Sequence, residues 1–199
     1  MIFSRRNRSN QQQPRNMNFA SYPIYPISTF KNANNTPAPS AESNVVKPSK
    51  MPWGKPTWFM LHTLAEKIKP EHFQQLRVEI FNIIKRICNN LPCPDCTKHA
   101  TNYISNVNFD NIQTKEQLKI MLFQFHNSVN KNKNVPLFDY KDLDSTYKSA
   151  VTTNIITNFF HFFLKQSYSG RMGTDNFHRT RMVQDVKRWM QTNIQYFDK

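Results

Sequence analysis

The sequence predicts an all-α protein. It reads as four helices and a short fifth, followed by a mainly helical C-terminal extension and preceded by a basic tail. Three observations carry this reading. Only three of the 199 residues are glycine. Apolar residues recur at spacings of three and four over most of the chain after residue 55. Prolines and polar runs fall at the ends of those periodic stretches, where helices start and stop. The length suits one domain of ordinary size with a small additional module.

The elements follow in order. Residues 1–50 carry seven Lys or Arg against one acid, amid Asn, Gln, Ser and Pro, and cannot bury enough apolar surface to offset their ordering entropy, so a disordered basic tail is expected. One patch in it differs: Phe19, Tyr22, Ile24, Tyr25, Ile27 and Phe30, with Pro23 and Pro26 between them, read as a docking peptide, a packing arm or an idle linker. A first helix is expected from Pro56, with Trp58, Leu61, His62, Ala65 and Ile68 on one face, ended by Pro70. A second runs from Glu71 to Cys88 with a stripe of Phe73, Leu76, Ile80, Ile83, Ile84 and Ile87. After the break Asn89–Pro92, a third opens with Cys93 at its start and Pro94 in its first turn; Tyr103 and Ile104 carry its inner face. Residues 106–113 read as a loop. Thr114 and Gln117 have capping-box spacing for a fourth helix bearing Leu118, Met121, Leu122, Phe125 and Val129. A short fifth helix is expected within 139–147, a sixth over 151–168, a linker at 169–173, and a final basic helix over 175–197 with Phe177, Met182, Val186, Trp189 and Met190 inward. The chain thus divides into a tail (1–50), a bundle (51–149) and an extension (150–199).

The formal net charge of +14 suits nucleic acid, an anionic membrane surface, an acidic protein, or simply a solubilising surface. No stretch is apolar over the roughly 20 residues of a membrane span, so no transmembrane segment is expected. The N-terminus lacks the apolar core of a secretory signal, although its Arg- and Ser-rich, acid-poor character leaves a mitochondrial presequence open. Three cysteines, Cys88, Cys93 and Cys96, are too few for a disulfide scaffold.

The stretch Leu91–His99 holds the most specific chemistry. Cys93 and Cys96 form a C-x-x-C at a helix start, where a disulfide can close and the helix N-terminus favours a thiolate. Zinc is the rival reading, with Cys88, Cys93, Cys96 and His99 as four ligands. The flanking segments bear on the choice. Trp58 and His62 lie four apart on one helix face, and His126, Asn127 and Asn130 lie near the end of the fourth helix. Aromatic, imidazole and amide groups around a dithiol suit a flat heteroaromatic cofactor. Each taken singly is equally a core residue. Cys88 falls on the apolar stripe of the second helix and reads as a buried core thiol.

Three separated motifs in this order, Trp58-x-x-Leu61-His62, Pro92-Cys93-x-x-Cys96 and His126-Asn127-x-Val129-Asn130, followed by Pro136-Leu137-Phe138-Asp139, resemble the Erv/ALR family of FAD-linked sulfhydryl oxidases over roughly residues 52–148. The resemblance implies a helical bundle cradling FAD at the mouth of four helices. Cys96 would be the cysteine next to the flavin, and Cys93 the outer one that exchanges with an incoming dithiol. Gly54, Lys55, Trp58, His62, His126, Asn127, Val129, Asn130 and Lys133 would bind the cofactor, and no metal is implied. Electrons would pass from a protein dithiol, or from a thioredoxin-like carrier, to flavin and then to O2, giving H2O2; a homodimer is also implied. Departures from the family pattern are plain. Tyr140 stands where cellular members often have Cys, Val135 stands where a basic residue is expected, and no second C-x-x-C exists. This reduced cysteine set resembles enzymes of large cytoplasmic DNA viruses, implying host cytoplasm or virion; a cellular source would imply the mitochondrial intermembrane space. The competing expectation is a basic nucleic-acid-associated protein with a structural Cys/His zinc site; with the flavin reading preferred, nucleic acid is not the expected primary ligand.

Overall fold

The computed structural model describes residues 51–165 and 173–199. The expectations for residues 1–50 and most of the 169–173 linker lie outside them. The described chain is helical: α1 (Gly54–Glu66), α2 (Pro70–Cys88), α3 (Pro94–Ser105), α4 (Lys115–Asn132), α5 (Asp142–Tyr147), α6 (Thr152–Lys165) and α7 (Gly173–Asn193). Among the described residues there is no sheet; an isolated antiparallel bridge joins Ile68 and Phe197. No helix among them is long and apolar enough to cross a membrane.

Local chemistry sets the boundaries. α1 begins at Gly54, two residues before Pro56, because the Thr57 hydroxyl donates to the Trp53 carbonyl at 2.7 Å and holds the first turn. Pro70 opens α2 rather than closing α1, which already ends at Glu66; Lys69 before it is extended (ψ 131°), as a pre-proline residue prefers. Glu71 in the first turn of α2 and Lys85 and Arg86 in the last complement the helix dipole. The 106–113 loop contains a short 3-10 turn, Phe109–Asn111, started by the Asn108 side chain accepting from the Asp110 amide. α4 carries the expected capping box: Thr114 Oγ1 accepts from the Gln117 amide at 3.2 Å, and Gln117 Oε1 accepts from the Thr114 amide at 3.0 Å. Thr114→Ala is expected to cost about 0.5–2 kcal/mol, seen as a lower urea midpoint at unchanged slope.

The whole α2 stripe from Phe73 to Ile87 is buried and meets Leu61 and Leu64 of α1, Ile104 of α3 and Leu122 of α4 in one apolar cluster. The extension belongs to the same cluster. α6 lies along α1 and inserts Phe159 and Phe163, both 0 % exposed. α7 adds Met182, Val186 and Met190, packing against α2 and α6. Lys67, itself buried, ties the C-terminus to the α1–α2 connection: its Nζ donates to the carbonyls of Lys148 at 2.6 Å and Lys199 at 2.9 Å. Its own carbonyl accepts from the Asp198 amide at 2.7 Å.

One expectation for α7 needs correction. Phe177 points outward and is 64 % exposed. Arg179 takes the inward position instead, buried, with Nε donating to the Asn90 carbonyl at 3.1 Å. With Arg179, Met182 and Val186 facing in, Phe177 falls about 160° away around the helix. Arg179 therefore supports the turn before α3.

Candidate active site

Cys93 is the N-cap of α3. Its backbone is extended (φ −114°, ψ 118°), Pro94 occupies the first helical position, and Cys96 sits one turn in. The two cysteines are joined in a disulfide with a Cα–Cα distance of 5.1 Å. Cys93 Sγ accepts from the Cys96 amide at 3.2 Å, the place a capping oxygen would take. The Thr97 hydroxyl lies 3.1 Å from the carbonyls of both Leu91 and Cys93, fastening the Leu91–Cys93 turn to α3. On reduction, the sulfurs would face the positive end of the helix dipole, which favours thiolate.

Cys96 forms part of the wall of a cavity of about 270 Å3. Trp58 and Leu61 of α1, Phe125 and Val129 of α4 and Ala100 of α3 make it largely apolar. At its polar edge the His99 ring and the Asn132 side-chain amide, which line it, are hydrogen-bonded to each other. Cys88, buried and unbonded, also lines it, and burial pushes its thiol up to about 12, so it is protonated near neutral pH.

An aromatic stack backs the cavity. The His126 ring lies flat on Trp58, with centroids 4.0 Å apart and planes 12° apart. His62 Nε2 and His126 Nδ1 share a hydrogen bond at 3.2 Å, so one ring donates and the other accepts. Tyr147 of α5 stacks on His62 at 4.3 Å and 13°. Burial, and secondarily the neighbouring His126, pulls His62 down to about 3; burial pulls His126 down to about 4. Both imidazoles are therefore neutral near pH 7. Unfolded histidines protonate near 6.5, so the unfolded state binds more protons below that pH. The contribution of these rings is thus fully present above about pH 6.5 and falls away as the pH drops toward 4. From pH 7 to 5 the expected loss is on the order of 2 kcal/mol per ring, and His62→Gln is expected to remove about half of the pair's total in urea titrations at both pH values.

The expected site residues separate by role. Gly54, Trp58, Cys96, Val129 and Lys133 line the cavity. Cys93 is half-buried on the far side of the disulfide and does not line it. His62 and His126 form the layer behind Trp58. Asn127 clamps the segment after α4: its Nδ2 donates to the Phe138 carbonyl at 2.9 Å and its Oδ1 accepts from the Phe138 amide at 2.8 Å. That clamp lays the Phe138 ring parallel to His126, centroids 5.8 Å apart. The Asn130 carbonyl accepts from the Lys133 and Val135 amides and helps end α4, with Asn134 following at a φ of 52° that asparagine tolerates. Lys55 points elsewhere, its ammonium 5.8 Å from the Phe59 ring centre. Sequence reading passed over Asn132 and Tyr147, and gave His99 only a zinc role. The signal for His99 was its place one turn beyond Cys96, and for Asn132 its place three beyond Val129.

The four residues of the zinc reading do not converge: among the described residues no group of three or more His, Cys, Asp or Glu is placed to hold a metal ion.

The comparisons with known proteins match this site. The model of the Erv1/Alr family covers residues 55–148, which contain the disulfide, the aromatic stack and most of the cavity wall. The chain belongs to the Erv1/Alr family. Protein 096R of Invertebrate iridescent virus 3, assigned as a FAD-linked sulfhydryl oxidase, is 32 % identical over 97 residues, covering 48 % of this chain and 66 % of that protein. The FAD-linked sulfhydryl oxidase of African swine fever virus (isolate Tick/Malawi/Lil 20-1/1983) is 26 % identical over 103 residues, covering 52 % of this chain and 86 % of the relative. The mitochondrial FAD-linked sulfhydryl oxidase ERV1 of Saccharomyces cerevisiae is 26 % identical over 97 residues, covering 49 % and 51 %. No solved structure matches the chain. The Erv1/Alr region ends at residue 148, so α6 and α7 lie beyond it.

Proposed function

We propose that this protein is a FAD-dependent thiol oxidase that forms disulfides in protein substrates, directly or through a thioredoxin-like carrier, and delivers the electrons to O2 as H2O2. One observation supports this most: the inner sulfur of a helix-capping disulfide opens onto an apolar slot bounded by Trp58, Leu61 and Phe125. A flat, uncharged ring system suits such a slot, with Lys133 and the His99–Asn132 pair at its polar edge. FAD, when bound there, supplies a two-electron acceptor that O2 can regenerate.

The residues would act in sequence. A substrate thiolate attacks Cys93 Sγ, the Cys93–Cys96 bond breaks, and the electron pair leaves on Cys96 as a thiolate at the α3 N-terminus. A second substrate thiolate then attacks the substrate sulfur of the mixed disulfide, releasing the oxidised substrate and leaving both Cys93 and Cys96 reduced. Re-forming the Cys93–Cys96 bond requires two electrons to leave through the cavity side. The Cys96 amide, which donates to Cys93 Sγ, favours a thiolate on Cys93, and the helix dipole favours one on either cysteine. His62 and His126, neutral and paired, hold the Trp58 plane without placing a charge behind the ring.

The same reading takes residues 51–149 as the oxidase domain and 150–199 as an extension built onto it, and it carries a homodimer. The viral relatives support a host-cytoplasmic or virion setting, and the yeast relative supports the mitochondrial intermembrane space for a cellular source. The test is oxygen consumption by the purified, FAD-loaded protein with dithiothreitol. One H2O2 is expected per O2 consumed and per dithiol oxidised; dithiol oxidation without O2 uptake would contradict the reading.

A further inference from the structure

A second cavity, of about 450 Å3, adjoins the first turns of α1 away from the disulfide. Pro56 and Phe59 of α1 face Ile155 and Phe162 of α6 across it, and Lys55 and Asn158 supply its polar groups. It is larger than the cavity at Cys96 and has no part in the proposed chemistry. Its α6 wall lies outside the Erv1/Alr match. Met51 and Pro52 also line it, so the chain preceding residue 51 departs from the groove itself.

The sequence of that preceding chain suits the groove. Phe19–Phe30 holds six large apolar or aromatic residues and no charge, within a tail carrying seven basic residues. Pro23 and Pro26 preset an extended backbone, the form in which proline-containing peptides dock on aromatic-lined grooves at low entropic cost. Twenty residues separate Phe30 from Met51. Any coil of 20 residues would have an end-to-end distance of about 25 Å, enough to fold back, and would hold an attached peptide at an effective concentration of about millimolar. A peptide too weak to bind from solution would then stay largely bound.

We propose that residues Phe19–Phe30 of the same chain dock in the groove between the start of α1 and α6. The inference does not depend on the redox reading.

Hydrogen exchange of the full chain tests it. Asn158 is exposed at the groove rim, so Asn158→Arg obstructs the groove without emptying the core. Amides within residues 19–30 are expected to exchange a few-fold to about tenfold more slowly in the parent than in Asn158→Arg, unchanged on dilution. Equal exchange in the two proteins would overturn the proposal. Protection that fades on dilution would assign the groove to a second copy's arm and overturn it equally. Should Asn158→Arg fail to fold, a photoreactive phenylalanine analogue in place of Phe162 gives an independent readout. Crosslinks to 19–30 of the same chain are expected, and crosslinks only elsewhere would refute docking.

Discussion

Cys96→Ala is expected to abolish dithiol-driven oxygen consumption, by on the order of 10³-fold or more, the scale of losing a group that performs the chemistry itself. The reason is positional. Cys96 is the member of the pair that lines the apolar cavity, whereas Cys93 does not. Without Cys96 no sulfur links the outer exchange step to the cavity, and Cys93 alone, as a thiol, offers no disulfide for a substrate thiolate to attack. The variant should still fold, because its side chain is only half-buried and the remaining α3 contacts, Ala100 and Ile104, are untouched. Stopped-flow and oxygen-electrode measurements on parent and variant, each saturated with FAD, check this. Substantial turnover in Cys96→Ala would exclude the proposed relay.

Phe159→Ala is expected to destabilise the protein by about 3–5 kcal/mol, the range for truncating a fully buried aromatic ring. A domain of this size has only about 5–15 kcal/mol in total, so the variant should sit near its folding threshold. Phe159 is 0 % exposed and shares its cluster with Leu61 and Leu64 of α1, the helix that also carries Trp58 and His62. Loss of the α6 ring should therefore loosen the catalytic wall together with the extension. A single urea transition at a much lower midpoint is expected. A separate early transition that leaves the α1–α4 signal unchanged would show that the extension folds independently.

Much of the architecture was legible because helical periodicity survives in the apolar stripe of α2 and in Leu118, Met121, Leu122 and Phe125 of α4. Side-chain capping was legible too: Thr114 and Gln117 form the box their spacing predicts. The site was legible in its local parts, the C-x-x-C at a helix start and the Trp58–His62 face. What escaped the sequence are contacts between segments remote in the chain. The Asn127 amide grips the backbone of Phe138, eleven residues on, a contact that its spacing on α4 does not announce. Lys67 is buried on carbonyls of Lys148 and Lys199, 81 and 132 residues on. Phe177 and Arg179 invert their usual preferences because the α7 face is fixed by Met182 and Val186 meeting the core. Such pairings depend on how helices meet, which no single helix's periodicity encodes.

The central claim is that a bound flavin accepts electrons from Cys96. Its most direct test is the visible absorption spectrum of the purified protein under anaerobic dithiothreitol. Flavin bands that bleach with the dithiol and return on admitting air are expected in the parent, and bands that stay unbleached are expected in Cys96→Ala. A parent protein that remains colourless after incubation with FAD, or flavin bands that bleach equally fast in Cys96→Ala, would contradict the account.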